Sequence, residues 1–188
     1  MNPLDPFAPW RRQDPKAAKL YGAIVAQARL PVFYQELGVP DTLEGRFLLL
    51  SLHLFAVLHR LNQDAPATEE LAQELTDRFS ADMETVLREV GVGDLSIPKK
   101  MRGLAASSTG LLHAYEEALG GGDEAIAAVI TEAMPLNQRL SPAASRRLAH
   151  YLRETVRDLA SQDGAAIRAG EIGFPGPELG DDWHDQRS

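Results

Sequence analysis

TLEGRFLLLSLHLFAVLHRLNQ, residues Thr42 to Gln63, decides how this chain folds. Apolar side chains recur there at three- and four-residue steps: Leu43, Phe47, Leu50, Leu54, Leu58 and Leu61. That is the spacing of one face of an α-helix. Leu48, Leu52 and Phe55 form a second stripe beside it. A helix apolar over most of its circumference can hide that surface only in the middle of a bundle. Its densest run, Phe47 to Leu58, is too short to span a bilayer. Asp41 and Glu44 stand at capping-box spacing and mark the helix start.

Outward from this helix the chain punctuates itself. Asp14 can cap and Pro15 suits a first helical position, so a helix is expected to about Ala28. Pro31 opens a short segment that Gly38 can end. On the other side, Thr68, Leu71, Leu75 and Phe79 give a further helix. It either continues through Met83, Val86 and Val90 or breaks near Ser80, and Gly91 ends it. Pro98 opens the next helix, to about Leu119, and Gly120 to Gly122 interrupt it. A helix from about Asp123 to Met134 follows, then one from Ser141–Pro142 to about Ser161. No segment alternates at period two, so no sheet is expected.

The expected fold is therefore all-α: a single compact bundle of seven to eight helices over residues 15–161. Residues 1–14 read as an N-terminal extension. Residues 162–188 are rich in glycine and proline, and read as an acidic tail, flexible or loosely docked.

The 188 residues suffice for one domain with its own core. The formal net charge of −8 disfavours general nucleic-acid binding. With no cysteine, disulfides, thiolate metal sites and a cysteine nucleophile are all excluded. The start, MNPLDPFAPWRRQDPK, has prolines and aspartates where a signal peptide needs an apolar run. The expected location is the bacterial cytoplasm, with the inner face of the membrane as a place of peripheral contact.

No catalytic constellation stands out. The histidines are His53, His59, His113, His150 and His184, and no two are four apart as a helical metal pair requires. His53, inside an apolar helix, reads as a core histidine with a hydrogen-bond partner. Gly91 and Gly93 lack the rest of a phosphate loop. Ser107, Ser108 and Thr109 have no activating base placed by the sequence. No catalytic residue, metal or cofactor is expected.

Charge is segregated instead. Residues 66–94 hold eight acids against Arg78 and Arg88. Lys99, Lys100 and Arg102 then crowd a helix start, against the helix dipole. In the last helix Arg146, His150, Arg153 and Arg157 share one face. These basic clusters are candidates for contact with a ribosome, an anionic lipid surface or the acidic helix of a neighbouring molecule.

Two stretches carry a family resemblance. ARLPVFYQELGVPDTLEGRFLLLSLHLFAVLHRL, Ala28 to Leu61, and DMETVLREVGVGDLSIPKKMRGLA, Asp82 to Ala105, resemble the ubiquinol–cytochrome c chaperone family. The pairing of GVPDTLEGRF with LREVGVGDLSIPKKM in this order is specific to it. The resemblance implies a non-enzymatic chaperone for newly made cytochrome b, acting in biogenesis of ubiquinol–cytochrome c reductase, complex III. It also implies a second assembly factor and a ribosome contact as partners to consider, without sequence-specific nucleic-acid binding. One departure stands at Ser108 to Leu111, where the family usually has an aromatic pair, a glycine and a basic residue. Leu111 and Leu112 are expected to refill the space; the other reading is an open client groove.

A holdase for a membrane protein needs an accessible apolar groove with a polar border. The expected groove lies between the Pro31 segment, the Leu43 to Leu61 helix and the Pro98 helix. Its candidate lining is Phe33, Tyr34, Val39, Leu95, Ile97 and Met101. The competing readings are a haem- or metal-binding helical enzyme using His53 or His59, and a helical adaptor without client contact.

Overall fold

The structure, a computed structural model, describes residues 14–89 and 97–177, except for the side chains at 87, 89 and 97–107. Eight α-helices are described: α1 (Pro15–Ala28), α2 (Pro31–Gln35), α3 (Leu43–Gln63), α4 (Glu69–Glu89), α5 (Ile97–Leu119), α6 (Gly122–Ala133), α7 (Pro142–Ser161) and α8 (Gly164–Arg168). A short 3-10 turn, Leu136–Gln138, links α6 to α7. No strand occurs among the described residues. The all-α expectation holds.

α3 is the axis of the bundle. Leu48 through Val57 are all buried, so the middle of both predicted stripes faces protein, while Leu43 at the start of the first stripe is exposed. α1, α4, α5 and α7 pack around it. α1 and α4 run in the same direction: Asp14 N–H donates to Glu74 at 3.2 Å, and the Tyr21 hydroxyl to Asp82 at 2.8 Å. α6 and α7 are antiparallel, with Asp123 beside Arg153 at one end and Thr131 hydrogen-bonded to Ser145 further along.

The caps show why these helices begin where they do. Asp14 accepts from Lys16 N–H at 2.8 Å, and Ser141 from Ala144 N–H at 3.2 Å. At α3 the sequence expectation shifts by one residue. Thr42, not Asp41, accepts from the Gly45 N–H, at 3.3 Å. Asp41 is drawn off by Arg46, whose Nε donates to it at 2.8 Å. α4 does not break at Ser80. The Ser80 hydroxyl bonds back to the Thr76 carbonyl at 3.0 Å and leaves the helix continuous. Gly91 lies outside the described residues.

Residues beyond Ser161 form more structure than their composition suggests. Asp163 caps α8, and Ile167 is buried in the core. Gly170 has φ of +84°, and a Cβ there would come within 2.9 Å of the Lys16 backbone. Ile172 and Phe174 pack against the core. The Gln162 side chain holds Gly173 at both backbone groups, at 2.7 and 3.1 Å. Arg60, buried within α3, donates to the Leu159 carbonyl at 3.0 Å and pairs with Asp64 at 3.1 Å. It thus satisfies the carbonyl end of α7. Asp64 also holds Arg168 of α8 at 3.2 Å.

Gly45 is where the loop after α2 meets α3 most tightly. A Cβ there would collide with the Pro40 carbonyl and come within 3.2 Å of Val39 Cγ1. Gly45→Ala should therefore cost about 1–3 kcal/mol of overpacking, read as a lowered midpoint in urea denaturation.

Candidate functional site

Inside the bundle, His53 organises a closed polar chain in apolar surroundings. Its Nδ1 lies 2.7 Å from the Leu49 carbonyl, which only accepts, so Nδ1 carries the proton. Nε2 is then an acceptor, and the Tyr151 hydroxyl donates to it at 2.9 Å. Gln27 Nε2 donates to the same Tyr151 oxygen at 2.9 Å and to the Pro175 carbonyl at 3.1 Å. Phe33, Tyr151 and Phe174 stand around the ring with centroids 5.1–5.5 Å apart in the cluster. Burial pulls the His53 pKa down from 6.5 to about 4. It is a neutral core histidine. The other described histidines pair with single carboxylates, His59 with Glu116 at 2.9 Å and His113 with Glu117 at 3.4 Å. Among the described residues, no three histidine, aspartate or glutamate side chains gather to hold a metal.

An open groove of about 1050 Å³ lies at one end of the bundle. Its walls come from the last turn of α1, from α2 and the loop after it, from the start of α3 and from the second half of α4. Apolar atoms dominate its lining: Val25, Leu43, Phe47, Leu50, Met83 and Val86, with Tyr34 and Val39. Arg29, Asp41, Arg46 and Asp82 supply charged groups along the same groove. Asp41 and Arg46 pair with each other on the exposed rim, and that bond holds the Asp41 carboxyl below its ordinary pKa. Asp82 is bonded to Tyr21, whose pKa is raised, first by burial and then by that bond. Tyr34 spends its hydroxyl on the Ala28 carbonyl at 3.1 Å and leaves its ring in the lining.

The predicted lining residues divide. Tyr34 and Val39 line the groove. Phe33 does not: it is fully buried against His53 and Tyr151. Leu95 lies outside the described residues, as do the side chains of Ile97 and Met101. The described walls come from α1, α2, α3 and α4, and the side chains at the start of the Pro98 helix lie outside the described residues. The pairing of α1 with α4 makes both of them walls, and no local pattern announces it. Val25, Phe47, Met83 and Val86 were missed for that reason, though their apolar character at helical spacing was visible. Ser108 opens no face: it is buried, and Leu111 and Leu112 pack against the core.

The basic side chains of α7 form ion pairs within the chain. Arg146 meets Glu124 at 3.3 Å, and Arg153 and His150 meet Asp123 at 3.0 and 3.4 Å. Arg157 pairs with Glu154 on its own helix at 2.6 Å. The first turn of α6, where Asp123 and Glu124 stand, also favours carboxylates through the helix dipole. The side chains of Lys99, Lys100 and Arg102 lie outside the described residues.

The profile of the ubiquinol-cytochrome c chaperone family matches residues 35–174. This chain belongs to that family. A crystal structure of the Cbp3 homolog from Brucella abortus superimposes with a TM-score of 0.80 at 36% identity, covering 89% of this chain and 92% of that one. Ubiquinol-cytochrome-c reductase complex assembly factor 1 of Xenopus laevis is 24% identical over 157 residues, 83% of this chain and 78% of that protein. The human protein of the same name is 21% identical over 84% of this chain. The chain spans about half the length of the human and mouse relatives.

His53 gives this core a pH dependence. The unfolded chain takes a proton on this ring below about pH 6.5, whereas the folded chain resists until about pH 4. The stability it confers is complete above pH 6.5 and falls by about 3 kcal/mol as the pH drops from 6.5 toward 4. The urea midpoint of the chain should therefore drop relative to that of His53→Phe between pH 7 and pH 4.5.

Proposed function

We propose that this chain is a complex III assembly factor that holds an apolar helix of newly made cytochrome b in the α1–α4 groove. Membership of the chaperone family supports the class of function, and the names of the relatives point to ubiquinol–cytochrome c reductase as the assembly served. The groove is the observation that carries the mechanism. It leaves Leu43 exposed and Val25, Phe47 and Val86 partly exposed between charged borders, with Met83 buried beneath them. An unassembled transmembrane helix exposes the complementary surface and aggregates in water. Burying its apolar residues yields about 25 cal/mol per Å² without a shape-specific lock. Met83 and Phe47 suit such use, since a flexible thioether and a flat ring adapt to different side chains. The Arg29, Arg46 and Asp82 charges discourage indiscriminate clustering of grooves on one another.

A non-enzymatic role is part of this proposal, and membership of a chaperone family supports it. The buried polar chain through His53 is satisfied by protein groups. No described helix is long and apolar enough to cross a membrane. Contact with the bilayer or with a translating ribosome at the bacterial inner membrane, and a second assembly factor, are parts of the proposal that rest on the family alone.

Deleting the gene should lower assembled complex III, and the unaltered chain should restore it. Leu43 is 39% exposed on the groove edge, so Leu43→Glu should leave the melting temperature unchanged. It should nevertheless fail to restore complex III on quantitative blotting. Full restoration by Leu43→Glu would remove the groove from the mechanism.

A further inference from the structure

The strap beyond α8, residues 172–177, is fastened by side chains. Among the described residues it makes no backbone–backbone hydrogen bond; the last one runs from the Glu171 N–H to the Ala166 carbonyl at 3.0 Å. Three bonds from two glutamines stand in its place. Gln162 Nε2 donates to the Gly173 carbonyl at 2.7 Å, and Gln162 Oε1 accepts from the Gly173 N–H at 3.1 Å. Gln27 Nε2 donates to the Pro175 carbonyl at 3.1 Å. Ile172 and Phe174 pack against the core, while Gly173 between them is exposed. That alternation is the habit of an extended chain. The Phe174 ring meets His53 edge-on, with centroids 5.3 Å apart.

Both glutamines are oriented from the helix side. Gln162 Nε2 also donates to Asp158 of α7 at 2.7 Å, and Gln27 Nε2 to the Tyr151 hydroxyl at 2.9 Å. Each amide thus commits one proton to the bundle and presents the other to the strap. Groups held in this way lose little freedom when a ligand arrives. All three strap bonds go to backbone atoms, so they do not depend on which side chains the strap carries. The seats of Ile172 and Phe174 supply the selectivity. Main-chain bonds for affinity, with pockets at alternate positions for specificity, are how proteins read an extended peptide.

We propose that the cleft between Gln27, His53 and Gln162 is a peptide-recognition site, which residues 172–175 occupy as a tethered stand-in. The ligand it fits is an extended segment of a partner protein with an aliphatic, a small, an aromatic and a proline residue in succession. That is the pattern of Ile172, Gly173, Phe174 and Pro175. Proline suits the last position, because it gives its carbonyl to Gln27 and has no N–H to leave unpaired. The strap swings out before the partner enters. Gly170, at φ +84°, is the turn at its root. A segment without a backbone ladder is among the first parts of a fold to open locally. Gln27, His53 and Gln162 do not line the α1–α4 groove, so this site stands independently of the groove reading.

The test uses the full chain and a labelled peptide, EIGFPGP, copied from residues 171–177. In the double variant Ile172→Ser, Phe174→Ser the strap should lose its hold while both glutamines stay in place. The peptide should bind this variant about tenfold more tightly than the unaltered chain, whose own strap competes at about millimolar effective concentration. The same peptide with serine in place of phenylalanine should bind the variant about tenfold less well, the scale of burying one large apolar side chain. Phe174→Ala alone, which leaves Ile172 seated, replaces the double variant if that one loses its helical circular dichroism, and the same results are expected of it. Equal binding of the peptide to the unaltered chain and to the variant would overturn the proposal. So would the absence of binding to a variant that keeps its helical signal, and either result would leave the groove reading untouched.

Discussion

The hydrogen bond between the Tyr151 hydroxyl and His53 Nε2 is the constraint on which the arrangement depends. α3 is apolar on nearly every side, so neighbours could slide or rotate along it at little cost. Polar atoms buried in such a place must find partners, and each partner is fixed in direction. His53 finds its partner on α7, and Tyr151 then takes a bond from Gln27 on α1. Gln27 spends its second proton on Pro175 and so holds the segment beyond α8. One buried imidazole therefore registers three helices and the C-terminal strap against each other.

That register places the groove. Phe33 is drawn inward onto His53 and Tyr151, which fixes the rotation of the five-residue helix α2. Its neighbour Tyr34 is consequently turned to the groove. The last turn of α1, which carries Gln27 into the core, offers Ala28 and Arg29 on its groove side. Arg60 does the corresponding work at the far end of α3, where it binds the carbonyl end of α7. The far end is closed over by α8, with Ile167 buried. The near end stays open, so the apolar surface of α3 that lacks a full cover is that around Leu43 and Phe47, with Leu50 buried at its floor.

Much of this was legible in the sequence, because helices announce themselves locally. Asp14–Pro15 and Ser141–Pro142 begin helices as read, and α3 is the central helix its composition requires. The central histidine reading also follows from one chain, since an isolated imidazole among leucines needs a partner. What failed to show depends on contacts far apart in sequence. Tyr21 and Asp82 are 61 positions apart, and their bond makes α4 a groove wall. Asp41 and Thr42 are equally plausible caps until Arg46 takes one of them. The α7 arginines read only as a basic stripe open to outside partners, because nothing local shows Asp123 and Glu124 opposite. The glycine- and proline-rich end suggested little burial, yet Phe174 and Ile167 reach the core and Gln162 satisfies its backbone.

The central claim is that the α1–α4 groove holds cytochrome b before complex III forms. A photoactivatable residue at Tyr34, whose ring lines the groove, tests it most directly. The same residue at Glu132, on the exposed side of α6, serves as the control. With crosslinking triggered in cells synthesising complex III, Tyr34 should capture cytochrome b and Glu132 should not. Capture from Glu132 alone, or no cytochrome b adduct at Tyr34 in cells that assemble complex III normally, would contradict the account.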